Sequence, residues 1–298
     1  MARRPLALLS TALLAASSLS AQLDVTPAYR ADQLDCAQFI ETSHTVITTQ
    51  TGRRPREQTA GRRGIWRFRA KPDRAALALE GWLDTLVLWR RSPEVTIRPD
   101  TDGLIGGRFR GILSPEGQYD GRVQPFVPDD VAEVAGMATA LNDFFPPLPP
   151  RPLHSGELWT DSLGLRIQRL SDSALSGLPL YRFSLQLRQE ATSAAVRHDT
   201  VPLDLRQVSV ERGQFVWHPA LGLLSRQRTI VIETTVPAGR TVRETVRSRI
   251  EQQISVFRDL RVPVGRCPEG PTPSEARPPD SGTGTPGPRG PAPAAPGR

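Results

Sequence analysis

The feature that most constrains this chain is a paired run of β-branched residues near its ordered end. Leu223 to Val236 and Thr241 to Val256 are both rich in Val, Ile and Thr, and they flank the turn residues Pro237, Ala238, Gly239 and Arg240. Branched side chains are stiff at χ1 and pack well on a pleated surface, so this arrangement predicts a long antiparallel hairpin. The spacing of Val242, Val246, Ile250 and Ile254 also fits a helical stripe, but the partner run Thr229 to Thr235 favours strand. Elsewhere the period is two. In Gly64 to Lys71, Ile65, Arg67, Arg69 and Lys71 fall on one face and Trp66, Phe68 and Ala70 on the other, the pattern of a half-buried strand. Phe39 to Thr49, Gly106 to Leu113, Leu163 to Leu170 and Tyr181 to Leu187 alternate in the same way.

Only one stretch reads as helix. Pro128, Asp129 and Asp130 open it with acids in the first turn, Val131, Val134, Ala135, Ala138 and Leu141 recur at three and four, and it stops before Phe144 to Pro147. The expected fold class is therefore mainly β: a curved antiparallel sheet or half-barrel with one principal α-helix over Asp129 to Phe145. The proline-rich connector Pro146 to Pro152 is stiff and extended, and it marks a subdomain boundary near 146–152 within a single β-rich domain over 22–263.

Both ends differ from this body. Met1 to Gln22 carries Arg3 and Arg4, then the apolar run Leu6 to Ala16, then Ser17, Ser18, Ser20 and Ala21. Charged, apolar and small in that order describe a secretory signal peptide, here 1–21, whose apolar run is too short to span a bilayer. No cysteine follows that run to accept a lipid anchor, and no later stretch reaches the roughly 18 to 20 apolar residues of a membrane helix. From 264 to 298, Pro, Gly, Ser, Thr and Ala dominate, which predicts a disordered tail. The expected location is the periplasm or the extracellular space.

Export makes the cysteine count informative. Cys36 and Cys267 are the only two, one near each end of the body. A disulfide between them would close almost the whole domain and contribute on the order of 4 to 5 kcal/mol in a chain-entropy description. Their spacing does not suit zinc, and Asp100, Asp102 and Gly103 form a turn rather than a calcium loop, since Ile105 and Gly106 stand where ligands would follow. Metal sites and cofactors are not expected. The formal charge of +7 falls to +5 when Arg3 and Arg4 leave, and Lys71 is the only lysine. Basic residues interspersed with acids, as in Arg243, Glu244, Arg247, Arg249 and Glu251, argue against a nucleic-acid surface.

Catalytic patterns are sparse. His44, His154, His198 and His218 form no HxH or HxxxH pair, and no nucleophile elbow, phosphate loop or dinucleotide fingerprint occurs. The reading is a binding or structural protein of the cell envelope rather than an enzyme. A hydrolase built from distant residues is the remoter alternative.

Phe145 to Pro150 followed by Gly156, Glu157, Trp159, Thr160 and Asp161, with the flanking Arg98 to Arg169, resembles an uncharacterised family of bacterial exported proteins. That resemblance implies a curved antiparallel sheet like that of periplasmic lipoprotein carriers, half-enclosing an apolar ligand, and it implies no catalytic residues. Trp66, Phe68, Trp82, Trp159 and Trp217 are the candidate ligand-binding residues on such a sheet, because large aromatics supply apolar contact area. A lipid or other apolar ligand is the expected partner, with an envelope protein as the alternative.

Overall fold

The computed structural model describes residues 26–175, 178–198, 201–237 and 244–262. The expected signal peptide, the Pro/Gly-rich tail, Cys267 and most of the turn at 237–240 lie outside the described residues.

Among the described residues the elements, in chain order, are a short helix α1 (Ala31–Leu34) and the strands β1 (Gln38–Thr51), β2 (Arg54–Asp73), β3 (Ala76–Arg91), β4 (Thr96–Ile97), β5 (Phe109–Leu113) and β6 (Tyr119–Val123). A single helical turn α2 (Asp129–Ala132) follows, then β7 (Leu158–Thr160), β8 (Arg166–Arg169), β9 (Ser173–Leu175), β10 (Leu178–His198), β11 (Val201–His218), β12 (Gly222–Val236) and β13 (Val246–Arg258). They form one open, curved antiparallel sheet in the order β6-β5-β3-β2-β1-β13-β12-β11-β10-β8-β7, with β4 on β3 and β9 on β10. The mainly β fold class read from the alternation is what the chain adopts.

Two runs of neighbouring hairpins, β1 to β3 and β10 to β13, are fused where the first long strand meets the last. That ladder runs from Phe39 opposite Arg258 to Thr51 opposite Val246. Strands from both sides of the Pro146–Pro152 connector thus share one sheet. The β12–β13 pairing, from Ser225 opposite Phe257 to Val236 opposite Val246, realises the hairpin expected from the β-branched runs. Val246, Ile250 and Ile254 sit in strand, not helix.

One face of the sheet is covered at one end. Trp66, Phe68 and Phe39 point into a core closed by Tyr29, Leu34, Val131, Met137, Leu141, Phe144 and Phe145. Phe39 of β1 lies opposite Trp66 of β2. Phe144 meets Phe39 edge to face at 5.6 Å and contacts Phe68 at 5.2 Å. Full burial of each such ring contributes about 1.5–3 kcal/mol.

The segment expected to be helical over Asp129 to Phe145 departs from expectation. Its helix ends after one turn at Ala132, and a short 3-10 turn, Met137–Thr139, follows Gly136. Glycine costs about 1 kcal/mol relative to alanine inside a helix, and Thr139, Asn142 and Asp143 are weak helix formers. Of the residues in the expected stripe, Val131 and Leu141 are buried, Val134 and Ala135 partly so, and Ala138 is exposed; Met137 and Phe144, outside that spacing, complete the buried set because the irregular backbone turns them inward. The Asp100–Gly103 stretch is a turn, with a 3-10 segment at Asp102–Leu104 and the Thr101 hydroxyl donating to the Leu86 carbonyl at 2.7 Å.

Truncating Phe144 to alanine is expected to cost about 3–5 kcal/mol in urea unfolding, whereas Phe126→Ala, at a side chain 83% exposed, should stay within about 0.5 kcal/mol. A pH effect follows from the β11–β12 turn. The His218 Nδ1 accepts hydrogen bonds from the Ala220 and Leu221 amides at 3.1 and 3.0 Å. Burial, then the nearby Arg258, lower its pKa. The unfolded chain therefore binds the extra proton first, and stability should fall as pH drops from about 6.5 through the lower folded-state value. Urea midpoints measured across that window should slope for the native chain and flatten for His218→Asn.

Candidate ligand trough on the covered face

Cross-strand register sorts the covered face into successive rows, because residues two apart on a strand share a face. The innermost row pairs Trp66 with Phe39 and Arg258. The next places Glu41, Val256, Arg226, Phe215 and Phe183 side by side. Beyond it stand Arg62, Ser43, Ile254 and Arg228, then Ala60, Thr45, Gln252 and Ile230, then Ile47, Ile250 and Ile232. The sheet thus changes along its strands from aromatic to ionic to aliphatic.

The ionic row fastens the cover. Arg226, with a side chain 6% exposed, donates to the carbonyls of Asp143 and Phe144 and to Glu211. Burial, and secondarily Arg228, pull its guanidinium down to about 10, which leaves it protonated at neutral pH. On the other flank Glu41 accepts from Trp66 Nε1 at 2.8 Å and pairs with Arg62, whose Nη1 lies 3.5 Å from the Met137 sulfur. Both ends of the 137–144 cover are held to the sheet by arginines.

The strands outrun this cover. Between residues 134–143 and strands β1, β2, β12 and β13 lies a cavity of about 340 Å³, lined by Ile47, Ile250, Ile254, Ala60, Val134, Ala135 and Ala140, with Arg62, Arg228 and Asp143 among its polar groups. Ile47, Ile250 and Ile232 are half-buried. A wider depression of about 640 Å³ on the opposite face is lined by Gln186, Gln214, Gln227, Gln253, Ser184 and Arg212. Its polar amides do not suit an apolar occupant.

The residues singled out from sequence are placed as follows. Trp66 and Phe68 are fully buried under the cover, and Trp217 is buried edge-on to Tyr29 at 5.0 Å. Trp82 is fully buried on the opposite face, where Arg108 stacks on it at 4.0 Å and Asp84 accepts its Nε1 proton at 2.9 Å. Trp159 is partly buried on β7. Trp66, Phe68 and Trp217 share the covered core, Trp159 packs against its edge, and Trp82 stands apart. Cys36 is buried with φ of 63°, and its expected partner Cys267 lies outside the described residues. Sequence reasoning passed over Ile47, Ile232, Arg62 and Arg228; the available signal was the alternation of Ile47 and of Ile230 and Ile232 within β-branched runs.

The Gly156–Asp161 motif is structural in its contacts. Gly156 takes φ of +84°, and its amide donates to the Arg169 carbonyl at 2.7 Å. Glu157 accepts from the His154 amide and from Arg151, and the buried Arg169 donates to the Leu153 carbonyl. His44, His154 and His218 stand at separate places on the fold, and the side chain of His198 is outside the described residues. No group of three or more His, Cys, Asp or Glu among the described residues is arranged to hold a metal ion. No helix among them is long and apolar enough to cross a membrane.

No family model and no curated protein matches the sequence. Among solved structures, one of lipovitellin, concerned with lipid–protein interactions, is similar at 10% identity and a TM-score of 0.42, covering 80% of this chain and 27% of its own. This chain therefore spans about a quarter of that protein. A DUF1329 family protein from Desulfovibrio piger is similar at 11% identity and a TM-score of 0.14, covering 75% of this chain and 87% of its own. MucB in complex with MucA overlaps at 7% identity and a TM-score of 0.12, covering 78% and 91%. At these scores the likenesses carry no inference about what this chain binds.

Arg226→Ala is expected to destabilise the fold by about 3–5 kcal/mol in urea, since it leaves the Asp143 and Phe144 carbonyls without this buried donor and removes one of the two arginines on Glu211. Arg226→Met, which keeps the stem's packing, should cost less than the alanine change.

Proposed function

We propose that the chain is exported and, without catalysing a reaction, holds a hydrophobic or amphiphilic ligand in the trough where the covered face outruns its cover. The observation that carries this reading is the amphiphilic cavity beside residues 134–143, with Ile47, Ile250 and Ile254 on its floor and Thr45, Thr139, Gln252, Arg62 and Arg228 among its polar lining. Its size falls in the usual range for small-molecule sites, about 300–1,000 Å³. A tail burying about ten methylenes gains about 8 kcal/mol before the entropy of association is subtracted. The resemblance of Phe145–Asp161 to exported proteins with carrier-like sheets supports the same reading, as does the signal-peptide order of residues 1–21.

Export also accommodates a bond between Cys36 and Cys267, which would tie the start of β1 to the segment after β13. Maleimide labelling of the unfolded, unreduced protein is expected to modify neither cysteine, and both after reduction. Two reactive thiols before reduction would remove the bond from the proposal.

The ligand reading is tested by titrating the purified full chain with a fluorescent fatty acid and by mass spectrometry of its organic extract. Saturable binding is expected, weakened at least about tenfold by Ile250→Glu, which places a charge on the aliphatic floor. Absence of both probe binding and co-purifying lipid would overturn it.

A further inference from the structure

Resting on the reading of the trough as an amphiphile site, we propose that its ligand is an acyl chain ending in an anion, and that Arg228 and Arg62 hold the headgroup. The two arginines stand in one cross-strand row with Ser43 and Ile254 between them, and both line the cavity. Each keeps a buried Nε that has no hydrogen-bond partner. The Arg228 side chain is 8% exposed, and an unmet donor on so deeply buried a cation is a costly arrangement that an oxyanion would relieve.

The neighbouring acids leave room for that anion. Glu211 is shared between Arg226 and Arg228, at 3.1 and 3.3 Å. Asp143 approaches Arg228 only to 3.9 Å and is 74% exposed. Glu41 is engaged by both Arg62 and Trp66. The arginine row lies between the ionic row and the isoleucines, so a headgroup there directs its tail along the strands toward Ile47 and Ile250. That row is four residues away, roughly 13 Å along a strand.

A dansyl-labelled fatty acid and its methyl ester, titrated against the full chain, separate this inference from the broader one. The acid is expected to bind about tenfold more tightly than the ester, a difference of about 1.4 kcal/mol. In the double variant Arg62→Gln, Arg228→Gln, the ratio of acid to ester affinity should fall to about one. The native comparison decides the matter if the variant does not fold, as judged by circular dichroism. Equal binding of acid and ester by the native chain overturns the headgroup assignment and leaves the apolar site standing; binding of neither overturns both. Inorganic phosphate alone, followed by calorimetry, is expected to give no saturable heat. Saturable phosphate binding with no preference for the acid would assign the row to a free anion and overturn the proposal.

Discussion

The ladder between β1 and β13 is the constraint on which the rest of the structure depends. It pairs the first long strand with the last, and without it the chain would hold two smaller sheets, each with a long exposed edge of the kind that invites aggregation. With it, Glu41 of β1 and Arg226 of β12 enter one row through Val256, and Arg62 and Arg228 enter the next through Ser43 and Ile254. The polar groups that hold the cover, and the aliphatic groups beyond it, are assembled from opposite ends of the sequence.

The second constraint is a mismatch of length. β2, β10 and β11 are long strands, while the segment packed across the sheet is short and mostly irregular. Near Phe144 and Phe145 the face is sealed by aromatic contacts. Past Asp143 the isoleucine row is half-buried, with the small side chains of Val134, Ala135 and Ala140 lining the same cavity. Apolar surface left in this state is a natural place for a ligand or partner to gain burial energy.

Much of this architecture was legible in the sequence, for identifiable reasons. Alternation in Gly64 to Lys71 placed Trp66, Phe68 and Ala70 on the buried side, and the β-branched hairpin was visible from Thr229 to Thr235. Helical spacing from Val131 to Leu141 named the buried Val131 and Leu141 and the partly buried Val134 and Ala135, but it missed Met137 and included the exposed Ala138, because the segment is irregular and broken at Gly136 rather than helical. The tryptophans were legible as large apolar groups, yet whether each is sealed or open depends on which row the cover reaches, a tertiary fact. Arg62 and Arg228 were invisible as a pair: they are far apart in sequence, embedded among many other arginines, and meet only through the register of three intervening pairings.

The most direct measurement is photolabelling of the full chain with a diazirine-bearing fatty acid, with adducts assigned to single residues by fragmentation. Adducts concentrated at Ile47, Ile232, Ile250 and residues 134–140 are the predicted result. Labels concentrated on the opposite face, at Gln227, Thr229 and Gln253, or scattered evenly over the surface, would contradict a trough on the covered face.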